Sequence, residues 1–109
     1  MEINILKNYK ENHKIDLKHI EEHVTKLKIV MHPVRYAIMV ILVKNKKMTV
    51  SEIHSELSMQ QAAVSNHLKL MKTNGILCSE RDGQNIFYEI NNNELRKLFE
   101  CLTLRFDNE

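Results

Sequence analysis

Near the middle of this chain two helix starts follow one another so closely that only a turn fits between them. Thr49-x-x-Glu52 and Ser58-x-x-Gln61 both have capping-box spacing, in which a hydroxyl and a side chain three positions on satisfy the orphan N–H groups of a first helical turn. The first box predicts a short helix through Leu57, with Ile53 and Leu57 facing inward. The second predicts a helix over residues 58–71. Two short helices joined this tightly form a helix-turn-helix, assigned to residues 49–72.

At about 100° per residue, Ala63, Val64, His67, Leu68 and Met71 fall on one side of the second helix, with Leu70 at its edge. Gln61, Ala62, Ser65, Asn66 and Lys69 fall on the other. That outer face carries short amides, a hydroxyl and a methyl where a solvated helix usually carries long Glu and Lys chains. Gln and Asn can pair bidentately with adenine in the major groove, Ala can touch a thymine methyl, and Ser and Lys can hold phosphates. An ordinary amphipathic helix has the same periodicity, so this face alone leaves both readings open and its neighbours decide.

Residues 1–14 place Ile3, Ile5, Leu6 and Tyr9 among Lys and Asn, a pattern open to a short helix or a loose arm. From Asp16, a predicted N-cap, the apolar positions Leu17, Ile20, Val24, Leu27 and Met31 have helical spacing and predict a first helix over residues 16–30. The stripe is narrow, which suits packing on another helix, including one from a second subunit. His32-Pro33 starts the next helix, because proline fits a first turn and disfavours helix in the residue before it. From Val34 to Val43 the chain is apolar nearly all round and reads as the central buried helix. Lys44, Lys46 and Lys47 follow where cations complement a helix C-terminus.

Beyond the helix-turn-helix, Asn74-Gly75 is a helix stop, and residues 76–81 and 86–90 read as two strands around Asp82-Gly83-Gln84-Asn85. Gly83 supplies the positive φ of that turn. A hairpin placed directly after a helix-turn-helix is the wing of a winged helix, here residues 76–90. Asn91-x-x-Glu94 is a third capping box and opens a last helix with Leu95, Leu98, Phe99, Leu102 and Phe106 inward. The predicted fold is mostly α with a small β-hairpin wing, a winged helix-turn-helix of order α-α-α-α-β-β-α, in a single domain over residues 1–109.

Composition narrows the function classes. A formal charge of +2 and a pI near 8.6 are compatible with nucleic-acid binding without demanding it. No run approaches the roughly 18 apolar residues of a membrane span, and the start has no signal-peptide core, so a cytoplasmic protein is expected. Two cysteines, Cys78 and Cys101, lack C-x-x-C spacing and are expected to be reduced, buried thiols. Carboxylates and histidines are plentiful, yet none has a recognisable catalytic spacing, and no Gly-rich phosphate loop or nucleophile elbow is present, so no enzyme is expected.

The order of elements and the local sequence resemble the ArsR family of bacterial winged-helix repressors, over about residues 31–90. His32-Pro33-Val34-Arg35 is similar to that family's Asp-Pro-Thr-Arg entry to the second helix, with His in place of Asp. Met48-Thr49-Val50-Ser51-Glu52-Ile53 matches the start of its third helix, and Gln60 to Met71 is close to its recognition pattern V-S-x-H-L-x-x-L. The resemblance implies a homodimer whose first and last helices pack across the two-fold, binding operator DNA and released from it by a signal that is often a metal. Thr49 and Ser51 stand where some family metal sensors carry Cys-x-Cys, and neutral hydroxyls cannot replace thiolates for a soft metal. The last helix contains no histidine, so the Asp/His site of zinc and nickel sensors is missing as well. No metal or other cofactor is therefore expected, and the inducer is unnamed by the sequence.

The predicted DNA-binding residues are Gln60, Gln61, Ala62, Ser65, Asn66 and Lys69 on the recognition helix and Arg81 and Gln84 on the wing, with specificity expected from Gln61, Ala62, Ser65 and Asn66. His19 and His23, four apart, could present one face to a metal but have no third ligand suggested nearby, so a solvated or dimer-edge pair is expected. His67 is expected to be packed and hydrogen-bonded, while His13 and His54 carry no signal. Two other readings stay open: a winged helix used only for protein contacts, and a thiol-based, redox-responsive repressor using Cys101.

Overall fold

The computed structural model describes residues 15–107, with side chains through residue 104. The readings of residues 1–14, His13 among them, and of the Phe106 side chain lie outside the described residues. The elements are α1 (Leu17–Val30), α2 (Pro33–Asn45), β1 (Lys47–Thr49), α3 (Val50–Leu57), α4 (Gln61–Thr73), β2 (Leu77–Asp82), β3 (Asn85–Ile90) and α5 (Asn93–Asp107).

Helix α2 is the hub, as its run of apolar residues demands. Pro33 occupies the first turn and His32 caps it, Nδ1 accepting from the Val34 N–H at 3.1 Å. Ile38, Met39 and Leu42 are completely buried, and α2 packs against every other described helix and against β1 and β3. Around it one continuous core collects Val30 of α1, Ile53 of α3, Val64, Leu68 and Met71 of α4, Ile90 of β3 and Leu95 and Phe99 of α5. Phe99 meets Tyr36 of α2 edge to face, with ring centroids 4.9 Å apart. The sequence phase of α4 is thus correct: Val64, Leu68 and Met71 turn inward, while Leu70 at the edge is exposed.

The wing is the predicted hairpin with a tighter loop. Asp82 pairs with Asn85, so only Gly83 and Gln84 lie outside the ladder, and Gly83 takes φ +65°. The sheet has a third strand that the sequence reading did not contain. Lys47–Thr49 pairs antiparallel with β3, giving the order β1-β3-β2. Three residues are too few for period-two alternation to register. They become a strand only because β3 offers them a free edge, with the Lys47 ammonium 5.1 Å from the centre of the Phe87 ring.

Two helix boundaries correct the sequence reading. Ser58 does not open α4. It adopts a left-handed conformation, φ 52°, at the end of α3, where the Ser58 N–H bonds to the Ser55 carbonyl and the Met59 N–H to the His54 carbonyl. That is a Schellman closure, the same as the one that ends α4, where Gly75 at φ 74° donates to Lys72 and Ile76 to Met71. A side chain spent on terminating one helix is not available to start the next, and α4 begins at Gln61 with Gln60 as N-cap and no side-chain cap bond. Likewise α5 is capped by Asn92, whose Oδ1 accepts from the Leu95 N–H at 2.9 Å, and not by Asn91, whose N–H is held by the Ile76 carbonyl.

The apolar stripes on the two outer helices turn away from this core. Leu17, Ile20 and Val24 of α1 and Met31 at its C-cap are exposed, and on α5 Leu98 and Leu104 join them, whereas Leu95 and Phe99 are buried and Leu102 half-buried. Among the described helices none is long and apolar enough to cross a membrane. The cysteines are not buried as expected: Cys78 on β2 is half-buried and Cys101 on α5 exposed, because the inward face of α5 is taken by Leu95, Phe99 and Thr103.

Candidate nucleic-acid interface

The turn between α3 and α4 is fixed at both ends. Thr49 and Glu52 form the predicted capping box, with the Thr49 Oγ1 accepting from the Glu52 N–H at 3.1 Å and Glu52 Oε1 accepting from the Thr49 N–H at 2.9 Å. His54, which carried no signal in the sequence, braces the far end with Nδ1 3.1 Å from the Met59 carbonyl oxygen. With α3 and the turn rigid, the outer face of α4 is displayed away from the core.

Gln60, Gln61, Ala62, Asn66 and Lys69 are exposed on that face and Ser65 is half-buried. Arg81 and Gln84 are exposed at the far end of the hairpin. Among the described residues no hydrogen bond or ion pair holds any of these polar side chains, so their donors and acceptors are open to a ligand. No carboxylate lies on α4, while Lys69 and Lys72 do, so the face is locally cationic although the chain is nearly neutral overall.

Behind the displayed face, α4 is anchored by a polar joint that the sequence showed only as part of a motif. The Arg35 guanidinium donates through Nε to the Ile29 carbonyl oxygen at the end of α1, and its Nη1 lies 3.2 Å from His67 Nδ1. The His32 and His67 rings stand 5.1 Å apart. Burial holds the His67 pKa below its ordinary value, and the neighbouring Arg35 and His32 lower it further. The expectation of a packed, hydrogen-bonded His67 holds.

His19 and His23 do have a third partner. Glu94, released from the cap role assigned to it, reaches across from α5 with Oε1 3.6 Å from His19 Nε2 and Oε2 3.2 Å from His23 Nδ1. These contacts join the first and last described helices. Among the described residues no group of three His, Cys, Asp or Glu side chains is arranged to hold a metal ion. Thr49, one of the two hydroxyl residues at the Cys-x-Cys positions, is committed to its capping box, and Ser51 is exposed.

This geometry has counterparts. The profile described as bacterial regulatory protein, arsR family, matches residues 32–79, from the cap of α2 into β2. The transcriptional repressor PagR of Bacillus anthracis is 34% identical over 91 residues, covering 84% of this chain and 91% of that protein. The chain belongs to the arsR family. The crystal structure of PagR superposes on it with a TM-score of 0.75 at 32% identity, covering 80% of this family member and 99% of PagR. A second relative, the transcriptional activator HlyU of Vibrio cholerae, is 28% identical over 85 residues, 78% of each chain, and its structure gives a TM-score of 0.73. The homodimeric winged helix-turn-helix domain of Mb0332 from Mycobacterium bovis, 20% identical with a TM-score of 0.71 over 84% of this chain and 83% of that one, shares the arsR-family fold.

Proposed function

We propose that this protein is a sequence-specific transcriptional repressor that acts in the cytoplasm as a homodimer on a roughly palindromic operator, by binding and not by catalysis. The observation that carries the reading is the outer face of α4, where Gln61, Ala62, Asn66 and Lys69 are exposed and unengaged on a helix rigidly mounted after a turn. Asn66 and Gln61 suit base edges, Ser65 and Ala62 lie close enough to complete the surface, and Gln60, Lys69 and Arg81 position the phosphate backbone, with Gln84 at the wing tip. Because no side chain caps α4 at Gln60, its first-turn N–H groups and the positive end of the helix dipole are left without a side-chain acceptor and suit a phosphate.

The second copy is expected on the stripe that α1 and α5 leave uncovered. Leu17 is 69% and Leu104 60% exposed, and a lone subunit would gain nothing by holding such residues on the two helices that Glu94 joins. A two-fold through these helices presents two copies of α4 to successive major grooves about one helical turn apart. The releasing signal is proposed not to be a metal at the positions of Thr49 and Ser51, whose hydroxyls are poor ligands for soft metals. The exposure of Cys101 on α5 supports a second reading, a repressor that responds to thiol oxidation.

The test is an operator selected from genomic fragments, titrated by fluorescence anisotropy. Asn66→Ala should cost about 1–3 kcal/mol per half-site on the selected operator and little on random DNA, whereas Lys69→Ala should weaken both alike. Selection of no sequence, or a stable monomer in sedimentation at micromolar concentration, refutes the proposal. Treatment of the complex with peroxide, with Cys101→Ser as control, decides between the main reading and the thiol-responsive one.

A further inference from the structure

We propose that Arg35 and His67 are positioning residues for DNA recognition, forming a clamp in which one guanidinium ties the last turn of α1 to the middle of α4. The inference rests on the reading of α4 as the base-reading helix. Arg35 lies in the first turn of α2, between the two elements it joins. On one side its Nε donates to the Ile29 carbonyl, one of the four at a helix end that have no partner within the helix. On the other its Nη1 is 3.2 Å from His67 Nδ1. A guanidinium can serve both at once because its donors lie in one rigid plane, whereas an ammonium is a single point on a flexible stem.

His67 neighbours Asn66 on the same helix and stands between the buried Val64, Leu68 and Met71. The core residues fix how deeply α4 sits and which side of it faces inward, but apolar contacts are non-directional and leave the fine rotation about the helix axis loosely set. The directed bond from Arg35 does fix it, and a misplacement of about 1 Å is enough to spoil a bidentate base contact of about 3 Å. Through Ile29 the same bond refers that angle to α1, the helix proposed to meet the second subunit. The clamp therefore transmits the geometry of the dimer to the two reading helices.

The clamp has a defined protonation state. Arg35 can only donate, so His67 Nδ1 must accept and the ring must be neutral with its proton on Nε2. Among the described residues the titratable and charged groups facing His67 are Arg35 in the first turn of α2 and His32, the α2 cap, and α1 contributes the Ile29 carbonyl through Arg35. The His32 Nδ1 is itself occupied as the acceptor from the Val34 N–H. A proton added to His67 Nδ1 removes the acceptor and sets one cation against another.

The experiment measures the ratio of affinity for the selected operator to affinity for random duplex, from about pH 7.5 down to about pH 5, a range that extends well below the ordinary histidine value so as to reach the lowered pKa of His67. Taking the ratio cancels the general gain in phosphate attraction as histidines charge. In the wild-type protein the ratio should fall as pH drops through the His67 pKa, which burial, Arg35 and His32 hold below the ordinary histidine value of 6.5. Arg35→Lys and His67→Ala should lower it about tenfold at the upper end of the range, with random duplex bound within about twofold of wild type. His67→Asn, whose Oδ1 stands near the position of Nδ1 and does not titrate, should keep the wild-type ratio there and lose the acid dependence. The Asn variant carries the test if Arg35→Lys or His67→Ala fails to fold, as judged by circular dichroism. A wild-type profile retained in His67→Asn, or a flat wild-type profile, overturns the clamp. Failure of wild type to bind any duplex instead overturns the DNA-binding reading beneath it.

Discussion

Ser58→Gly should stabilise this protein, and the sign of that effect separates two accounts of the helix-turn-helix. If Ser58 capped α4, as its spacing to Gln61 suggests, glycine would cost a few tenths of a kcal/mol and alanine about 1 kcal/mol. In the structure Ser58 has φ 52° and closes α3, while the N-cap of α4 is Gln60. A Cβ in the left-handed region costs about 1–2 kcal/mol, and glycine avoids that cost while giving back about 0.5–1 kcal/mol through the greater freedom of the unfolded chain. The net is a gain of about 0.5–1 kcal/mol, or about 2–6 °C in Tm for a chain of this size. Urea titrations and calorimetry at one fixed protein concentration measure it, since the proposed dimer makes stability depend on concentration. A Ser58→Gly protein less stable than wild type, even by the few tenths of a kcal/mol a lost cap costs, would refute the left-handed assignment and restore the capping box.

The same backbone argument runs in reverse at Gly75, φ 74°: the nearest atoms to an added Cβ are the end of the Lys26 side chain at 3.6 Å, so Gly75→Ala should cost about 0.5–1 kcal/mol through conformation alone, read by urea denaturation. Phe99→Ala should cost about 3–5 kcal/mol, and Phe99→Leu about 1 kcal/mol, mostly the lost edge-to-face contact with Tyr36. Because the folded protein holds the His67 pKa below 6.5, the unfolded chain takes up that proton first on acidification. The stability contributed by neutral His67 is therefore complete above about pH 6.5 and declines as pH falls toward the lowered folded value, and His67→Asn should remove this component from the pH dependence of urea midpoints. Val24→Glu combined with Leu17→Glu should give a folded monomer by sedimentation, since both side chains are exposed in the isolated subunit.

The long elements were legible because each is specified by its own residues. Asp16 and the Thr49/Glu52 box mark helix starts, Pro33 a first turn, Gly75 a stop and Gly83 a hairpin, and every one of these signals acts within a few residues of where it is written. The phase of α4 was equally readable, since Val64, Leu68 and Met71 face the core as periodicity requires, and so the outward set of Gln61, Ala62, Asn66 and Lys69 followed. The two capping boxes that failed did so for one reason. Ser58 and Asn91 have the right side chains at the right spacing, but a cap needs a free residue in extended conformation, and here the end of α3 had claimed the first and the Ile76 carbonyl had claimed the backbone of the second.

What the sequence by itself determined was the local grammar: which segments are helices, where most begin and end, which side of α4 is polar, and that hydroxyls stand at residues 49 and 51. What only the tertiary structure decided were the contacts between residues far apart in the chain. Lys47–Thr49 is a strand because β3 lies beside it, Glu94 meets His19 and His23 because α1 and α5 are brought together, and Arg35 reaches both Ile29 and His67 because α2 runs between α1 and α4. The physical reason is that hydrophobic periodicity and capping are properties of a few consecutive residues, whereas a hydrogen bond or an ion pair between distant residues exists only once burial of a shared core has set their distance.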